Sequence, residues 1–348
     1  MTQPENPHAT RAILDMPKAM RIHETGGPDV LRWEEIALAP PGPGEVRLRQ
    51  HAAGLNYADI NLRRGGFYLY APPKLPTILG NEAAGTVEAL GPGVTQVKLG
   101  DRVAYVSPSG MYDEAPGGYA EARNIAADRL VILPDGVSET QAAAIMAKGL
   151  TASTILHRLY TIEPGQTVLI HAAAGGMGSI LTQWSKHLGA TIIGTVGSAE
   201  KAKAARANGC DHTILYRETD FVAAVRKIVP EGVAAVFDAV GKDTFLPSLD
   251  CLRPYGKIVN FGNASGPPPP LDIRILSQKG CLSVARAGLT HYVADRANFE
   301  RASAELFDLV KRNIIRLDPA NTYALKDAAQ AHRDLEARKT TGSVVLVM

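Results

Sequence analysis

A run of small residues is the part of this sequence best suited to bind a charged ligand. A candidate strand ends at His171, and the residues after it place Ala173, Gly175 and Gly178 at the three glycine positions of a GxGxxG motif. Small residues let the backbone approach a pyrophosphate, and the free N–H groups at the start of the next helix attract its negative charge. The segment therefore predicts a dinucleotide site, with a ligand-free tight turn as the alternative. The predicted contacts are Gly175, Gly176, Met177 and Gly178.

The end of the following strand indicates which dinucleotide binds. An NAD site normally has Asp or Glu about 20 residues after the glycines, where it binds the ribose 2′-hydroxyl. Here the strand ends in Gly197 and Ser198, Lys201 follows, and Tyr216 and Arg217 end the next strand. A hydroxyl and cations suit a 2′-phosphate, which an acid would repel. The sequence therefore predicts NADP(H), although Lys201 could also be a solvated helix residue.

Alternating strands and helices surround this loop and would position it. From about Gln141 the sequence predicts a helix to Leu159, followed by strands and helices in regular alternation. Such alternation implies right-handed crossovers and a doubly wound α/β fold, with helices on both faces of a parallel sheet. The predicted strands are 166–171, 191–196, 212–215, 234–239, 257–262 and 281–286, and the predicted helices are 178–188, 200–208, 220–229 and 244–252.

The flanking regions have different patterns. Between Lys18 and about Thr140, short candidate strands separated by glycine and proline turns predict a small β-barrel. The tail predicts helices at 294–311 and 326–338 and a last strand at 343–347. At about 150 residues per domain, 348 residues favour two domains. The predicted barrel strands are 18–23, 45–52, 83–90, 101–106 and 124–133.

Composition excludes several classes of protein. The 37 basic and 35 acidic residues leave a net charge of +2, which argues against nucleic acid as the main partner. Apolar runs such as Thr167–Ile170 are far shorter than the ~20 residues of a membrane span, so no membrane insertion is expected. The three cysteines form no CxxC pair, which excludes a disulfide framework and a four-cysteine zinc site. Residues 1–17 lack an apolar signal core and are predicted to be a loosely ordered extension, which makes the cytoplasm the expected compartment.

Several ordered motifs resemble one group of enzymes. The small-residue run and the stretches Gly80–Val87, Gly100–Val103 and Lys148–Ala152 are similar to the medium-chain dehydrogenase/reductase superfamily. Within it the chain resembles the zinc-independent quinone oxidoreductases, the zeta-crystallin-like branch, from about Lys18 to Met348. Further matching segments are 189–190, 194–198, 216–218, 249–252 and 260–266.

This resemblance implies an architecture and a set of cofactor contacts. It implies a GroES-like β-barrel catalytic domain formed by residues 18–143 and 290–348, and an NADP-binding Rossmann domain at 144–289. Lys148 and Thr151 are expected to begin a helix that faces the cleft. Surface ion pairs are the alternative for Arg286 and Arg338. The contacts implied are Asn56, Lys148, Thr151, Phe261, Gly262, Asn263, Val284, Arg286 and Arg338.

The departures from alcohol dehydrogenases of the same superfamily concern the metal. Those enzymes hold a catalytic zinc with a Cys and a His, and here Asn56 and Asn81 stand at the corresponding places. No catalytic zinc is therefore expected. Oxidation of a simple alcohol normally requires zinc to stabilise the alkoxide. A quinone accepts hydride without a Lewis acid and yields a delocalised phenolate, which ordinary hydrogen-bond donors can stabilise.

The sequence thus predicts an enzyme, an NADPH-dependent quinone oxidoreductase. Asn56 and Tyr57 are its expected catalytic residues, although Asn56 could instead be a turn former. Asp59 could order Asn56 or cap the turn that follows. Tyr68 and Tyr70 offer aromatic faces for a flat substrate ring, and packing between the barrel and their loop is the alternative.

Two other functions and an assembly state also follow from the resemblance. One alternative function is NADPH-dependent reduction of α,β-unsaturated carbonyls such as 2-alkenals and enones. The other is a non-enzymatic NADPH-binding protein, structural or RNA-associated. A homodimer is expected, formed by edge pairing of the strand Cys281–Arg286, which is apolar enough to be a liability if left open.

Overall fold

A computed structural model describes residues 16–65, 73–107, 116–317 and 321–348. Its first part consists mainly of short strands, as predicted. Along β3, which the sequence predicts as a half-buried strand, Val46 and Leu48 are fully buried while Arg49 and His51 are exposed. The elements are β1 (Lys18–Ile22), β2 (Leu31–Glu35), β3 (Glu45–Leu55), α1 (Tyr57–Arg63), β4 (Thr77–Ile78), β5 (Glu82–Leu90), β6 (Arg102–Val106), β7 (Ala122–Ala126) and β8 (Val131–Ile132).

The second part alternates helices and strands. Its first helix begins with Ser138 as N-cap, whose hydroxyl accepts a hydrogen bond from the N–H of Gln141, and ends in a π-helical turn at Ile155–Leu159. The elements are α2 (Glu139–Thr154), β9 (Thr167–Ile170), α3 (Gly176–His187), β10 (Thr191–Val196), α4 (Ala199–Ala207), β11 (His212–Leu215), α5 (Phe221–Ile228), β12 (Val233–Asp238), α6 (Phe245–Ser248), β13 (Leu252–Asn260), α7 (Arg274–Gln278) and β14 (Ser283–Arg286).

The tail contributes to both parts of the molecule. Its long helix packs into the core beneath the alternating region, where Leu306 and Phe307 lie in the same apolar cluster as Trp184 and Phe237. Its last strand pairs antiparallel with β3 of the barrel. The elements are α8 (Thr290–Ala294), α9 (Arg296–Lys311), β15 (Thr322–Ala324), α10 (Ala328–Glu336) and β16 (Val344–Val347).

The described strands form three sheets. The six-stranded sheet is entirely parallel, in the order β11-β10-β9-β12-β13-β14, which confirms the predicted doubly wound fold. The barrel consists of a seven-stranded sheet in the order β15-β16-β3-β5-β6-β8, with β7 also paired to β3, and a small sheet β2-β1-β4. Strand order in the parallel sheet reverses between β9 and β12, and ligands bind such sheets at the carboxyl ends beside that point.

A buried polar network joins α1 to α10. The His332 side chain lies between Tyr119 and Arg63, with both ring nitrogens 3.2 Å from their partners. The Tyr119 hydroxyl donates to Asp59, and the buried Arg63 guanidinium donates to Glu336 over 2.6 Å. The network fixes the relative position of two helices that both reach the cleft described below.

Buried ionisable groups in this network and in the parallel domain make stability depend on pH. Burial lowers the pKa of His332 to about 3 and that of His171 to about 4, and burial raises the pKa of Asp59 to about 7. Between pH 6.5 and pH 4 the unfolded chain binds two protons on these histidines that the folded chain does not, whereas the folded chain binds one more on Asp59. The net of about one proton means that the free energy of unfolding should fall by roughly 1.4 kcal/mol per unit as pH decreases.

Urea denaturation between pH 7 and pH 4.5 measures this slope. The His332→Gln variant lacks one of the two histidine protons. The proton on His171 in the unfolded chain and the proton on Asp59 in the folded chain then cancel, so the slope should approach zero. A slope that is the same in both proteins would show that His332 is not buried in its neutral form.

Candidate cofactor and substrate site

A cavity of about 570 Å³ lies at the carboxyl ends of β9, β10, β12 and β13. The barrel contributes the end of β3 and the start of α1, and the tail contributes residues around α10. The cavity lies beside the reversal of strand order, where a doubly wound sheet binds its ligand. Most of the predicted site residues line it, namely Asn56, Tyr57, Lys148, Gly175, Gly176, Met177, Gly178, Gly197, Ser198, Lys201, Tyr216, Phe261, Gly262, Asn263 and Arg338.

The small-residue run forms a loop that no larger side chains could form. Ala172 begins it with φ of 53°, a left-handed conformation that costs a non-glycine residue roughly 1–2 kcal/mol. Its carbonyl oxygen accepts from the N–H of Gly175 over 2.8 Å. Helix α3 then begins at Gly176 with Gly175 as an N-cap that has no side chain, so its first N–H groups face the cavity without intrahelical partners. This is the geometry that receives a pyrophosphate.

Gly178 is the glycine on which this loop depends most. A Cβ at this position would stand 2.2 Å from the backbone oxygen of Ala172, so a Gly178→Ala substitution must displace the loop. We expect the dissociation constant for NADPH to rise between about 10- and 100-fold, the equivalent of 1–3 kcal/mol of overpacking. Isothermal titration with NADPH measures it. Gly27→Ala is the matched control, because a Cβ on Gly27 meets nothing within 4 Å, and unchanged affinity in both variants would contradict the assignment.

A basic cluster occupies the ends of β10 and β11. The Lys201 ammonium donates to the backbone oxygen of Arg338 over 2.7 Å, and the Arg338 guanidinium donates to the Tyr216 hydroxyl over 3.2 Å. Burial lowers the pKa of Lys201, and the positive charges of Arg217 and Arg338 lower it further. Among the described residues none of these three cations forms an ion pair with an acid. The cluster therefore offers unneutralised positive charge to a ligand.

These observations fit a bound NADP(H). The glycine at 178 creates space against the Ala172 carbonyl, the cations of the basic cluster suit a 2′-phosphate, and the side-chain nitrogen of Asn263 is buried without a partner in the described part of the chain. An orphaned buried donor at a cavity wall is costly unless a ligand accepts its hydrogen bond. A nicotinamide dinucleotide supplies phosphates and amide or hydroxyl acceptors of the kinds that these groups require.

A buried carboxylate organises the barrel side of the cavity. Glu82 is fully buried, and its Oε1 accepts from the Asn56 amide over 2.8 Å and from the Lys148 ammonium over 3.1 Å. Its Oε2 accepts from the N–H of Ala147 over 2.6 Å. Gly54 makes room for it, since a Cβ there would stand 2.2 Å from Glu82 Oε1. One carboxylate thus holds the two polar side chains that face the cavity here.

The two asparagines at the places of zinc ligands are both tied to acids. The Asn56 N–H donates to Asp59 over 2.8 Å, and the Asn81 amide donates to Asp59 over 2.7 Å. Asp59 therefore both orders the Asn56 turn and caps α1, so the two roles that the sequence left open coincide. In the described part of the chain no group of three or more His, Cys, Asp or Glu residues is arranged to hold a metal ion.

Tyr57 follows Asn56 at the start of α1. Burial raises the pKa of its hydroxyl, and Glu336 raises it further, while Arg338 and Arg64 oppose the shift. The phenol therefore keeps its proton at neutral pH and can donate a hydrogen bond into the cavity that it lines.

Three residues implied by the resemblance, Thr151, Val284 and Arg286, do not line the cavity. The expectation that Lys148 and Thr151 begin a helix was wrong, because they lie in the third and fourth turns of α2, where the Thr151 hydroxyl donates to the backbone oxygen of Ala147. Val284 and Arg286 lie on β14, where the Arg286 guanidinium bonds to Asn260 and to the Asn263 side chain. Arg286 thus holds the loop that contains Asn263. Tyr68 and Tyr70 lie outside the described residues.

Sequence reasoning missed several residues that shape the cavity. Glu82 occurs in one of the family-like motifs, but nothing in the pattern marks it as a buried partner of Lys148. His171, Thr195 and Thr244 also line the cavity and were not predicted as site residues. Their place in the sequence could have indicated them, because each lies at or just after the carboxyl end of a predicted parallel strand or in the helix that follows.

Comparison with known proteins agrees with this geometry. Residues 42–135 match the family model of the alcohol dehydrogenase GroES-like domain, and residues 176–308 match the model named zinc-binding dehydrogenase. Quinone oxidoreductase 1 of Escherichia coli is 44% identical over 95% of this chain and 100% of its own. A 2-haloacrylate reductase from a Burkholderia species is 43% identical over 95% of this chain and 99% of its own.

One of the similar solved structures was determined with a bound cofactor. The crystal structure of the Escherichia coli quinone oxidoreductase complexed with NADPH superposes with a TM-score of 0.88 at 42% identity, covering 95% of this chain and 100% of that one. The predicted architecture, a parallel Rossmann sheet with a GroES-like barrel, is therefore confirmed. The chain belongs to the zinc-independent quinone oxidoreductase family of the medium-chain dehydrogenase/reductase superfamily.

Proposed function

We propose that this protein is an NADPH-dependent quinone oxidoreductase that works without zinc. The observation that carries the proposal is the group Asn56, Lys148 and Glu82 on the barrel side of the cavity, in which Asn56 stands where the resemblance places a zinc ligand of alcohol dehydrogenases. The relatives named quinone oxidoreductase, one of them solved with NADPH, support the same activity. NADPH as the cofactor follows from the unneutralised cations of the basic cluster and from those relatives.

Each part of the cavity has a distinct proposed role in binding. The N-terminus of α3 and the loop at Gly175–Gly178 receive the pyrophosphate, and the basic cluster with Ser198 and Gly197 receives the 2′-phosphate end. Phe261, Gly262 and Asn263, at the end of β13, bind the nicotinamide half together with Asn56 and Lys148. Arg286 positions Asn263 rather than contacting the cofactor, and Thr151 and Val284 support the cavity wall.

The proposed chemistry requires donors rather than a strong Lewis acid. When bound, NADPH would supply a hydride to the quinone, and a proton from water or a hydroxyl would complete the hydroquinone. The oxygen that gains electrons becomes a delocalised phenolate, and the Asn56 amide and the protonated Tyr57 hydroxyl are the nearby neutral donors proposed to stabilise it. Glu82 holds the Asn56 amide and the Lys148 ammonium in place, so little reorganisation is needed when charge develops.

A substrate comparison tests this function. With NADPH as donor, we expect rapid oxidation in the presence of 1,4-benzoquinone, much slower oxidation with NADH, and no loss of activity after treatment with a zinc chelator. Activity that the chelator abolishes, and that added zinc restores, would contradict the proposal.

Reduction of α,β-unsaturated carbonyl compounds is a second candidate function. The similarity to a 2-haloacrylate reductase over nearly the whole chain favours it, and the hydride geometry that it requires is the same. A 2-alkenal and a 2-haloacrylate in the same assay decide between the two. Turnover of either compound without turnover of any quinone would replace the first proposal by the second.

We also propose the division into domains, the assembly and the compartment predicted from sequence. The first domain boundary, at 143–144, lies within α2, which packs against both the barrel and α3.

A homodimer would pair the β14 edge of the parallel sheet, where Val284 is 39% exposed and Tyr255 nearby is 81% exposed. Sedimentation should then give twice the chain mass of 37.0 kDa. No described helix is long and apolar enough to cross a membrane, and the cytoplasm is proposed.

A further inference from the structure

A fully buried histidine stands behind the cofactor loop, and the proposed chemistry does not use it. His171 ends the strand β9 and is 1% exposed. Its Nδ1 lies 2.9 Å from the Thr195 hydroxyl and its Nε2 lies 2.8 Å from the Ser248 hydroxyl. The ring also meets Phe221 edge-on at 5.0 Å between centroids. Three elements of the parallel domain therefore converge on this one side chain.

The hydrogen bond of Ser248 to a backbone oxygen fixes the direction of the others. The Thr195 hydroxyl accepts from the N–H of Ala172 over 3.3 Å and, when the histidine is neutral with its proton on Nε2, donates to His171 Nδ1. The Ser248 hydroxyl donates to the backbone oxygen of Thr244 over 2.6 Å, so it accepts from His171 Nε2. The chain of bonds is complete only when the histidine is neutral with its proton on Nε2. Burial, which lowers the pKa of His171 to about 4, keeps that form at neutral pH.

The chain of hydrogen bonds ends at Ala172, the strained residue of the cofactor loop. Ala172 has a left-handed backbone, and its carbonyl oxygen both accepts from Gly175 and abuts Gly178. Strained backbone of this kind persists only where its surroundings over-determine it. The N–H of Ala172 is held by the Thr195 hydroxyl, and the N–H of Ala173 is held by the Thr195 backbone oxygen over 3.1 Å.

We propose that His171 is a positioning residue for the cofactor. Through the Thr195 hydroxyl it fixes the left-handed turn at Ala172, and thereby places the N-terminus of α3 against the pyrophosphate. The inference rests on the proposed use of NADPH. It adds that the affinity for this cofactor depends on a buried histidine that needs no contact with it.

Two pairs of variants separate the hydrogen-bond chain from simple packing. Thr195→Val keeps the branched shape and removes the hydroxyl, whereas Thr195→Ser keeps the hydroxyl. His171→Leu removes both ring nitrogens, whereas a glutamine at 171 offers one acceptor and one donor in place of Nδ1 and Nε2. We expect the dissociation constant for NADPH to rise about tenfold in Thr195→Val and His171→Leu. In Thr195→Ser and His171→Gln it should stay within about threefold of the value for the unsubstituted protein.

Three further readouts complete the test. In the ligand-free protein, hydrogen exchange at the Ala172 amide should accelerate in Thr195→Val and not in Thr195→Ser. The double variant His171→Leu/Thr195→Val should bind NADPH no more weakly than the worse single variant, because both substitutions interrupt the same chain of hydrogen bonds. In quinone turnover, KM for NADPH should rise more than kcat falls.

The possible failures are distinguishable. If Thr195→Val and His171→Leu lower the free energy of unfolding but bind NADPH as tightly as the unsubstituted protein does, His171 is only a packed core residue and the inference is wrong. Equal losses of affinity in Thr195→Val and Thr195→Ser would also overturn it, and Thr195→Val gives the answer even where His171→Leu does not fold. A protein that binds NADH as well as NADPH, or reduces no quinone, would instead contradict the proposed function.

Discussion

Replacing Lys201 by glutamate should reverse the preference of the enzyme for its cofactor. The half-buried ammonium lies with Arg217 and Arg338, and among the described residues no acid neutralises them. A 2′-phosphate carries nearly two negative charges, so a carboxylate at this position converts attraction into repulsion. At an effective dielectric constant of about 20, one such pair at close range is worth roughly 3–4 kcal/mol. We expect kcat/KM for NADPH to fall about 100- to 1000-fold, with a change of less than about fivefold for NADH.

Steady-state kinetics with both cofactors and one quinone measure this effect, and the chain offers a matched control. Lys203 lies on the same helix and is exposed, outside the cavity lining, so Lys203→Glu makes the same change of net charge without touching the site. Because the interaction is electrostatic, the loss in Lys201→Glu should shrink as ionic strength rises, and the control should show no such dependence. A Lys201→Glu enzyme that still prefers NADPH would show that the basic cluster is not the source of the specificity for NADPH over NADH.

The cofactor half of the site was predictable because local sequence and a topological rule determine it. The small residues after β9 are required because a Cβ at Gly178 would stand against the Ala172 carbonyl, so the local sequence itself carries the signal. Two of the cations were predictable because Lys201 and Arg217 follow the carboxyl ends of neighbouring parallel strands. Arg338 completes the cluster from the tail, 122 residues away from Tyr216 along the chain, and only the resemblance indicated it.

The barrel half was less predictable because its key contacts join distant elements. The predicted strand begins at Ala83, so Glu82 stands just before it in the prediction, and its burial depends on Gly54 in β3 and on α2. Periodicity predicts this helix from about Gln141, so the expectation from the resemblance that Lys148 begins a helix was wrong: α2 begins after the Ser138 cap. At Asn56 the sequence predicts only a turn that Asp59 can cap, and the structure extends that turn into α1.

Glu82→Gln should be the most damaging conservative change on the barrel side. The substitution leaves the shape nearly unchanged but removes the counter-charge of the Lys148 ammonium, whose side chain is only 8% exposed. Breaking a buried pair in this way typically costs 3–5 kcal/mol, because the remaining charge stays buried without compensation. The Asn56 amide also loses its anionic acceptor. We expect kcat/KM with NADPH and quinone to fall at least about 100-fold and the midpoint of thermal unfolding to decrease.

A second substitution separates the role of this pair in stability from its role in function. In the double variant Glu82→Gln/Lys148→Met no charge is left buried, so the free energy of unfolding should recover most of what the single variant lost, while kcat/KM should stay low. Glu88→Gln, on an exposed position of the same strand, is the control for the loss of one carboxylate. Buried ion pairs are often no more stabilising than apolar residues of similar size. If removing both charges lowers kcat/KM but not the free energy of unfolding, the pair serves ligand binding or turnover rather than stability. Full activity in the double variant would mean that Glu82 and Lys148 serve only the packing of β5 against α2.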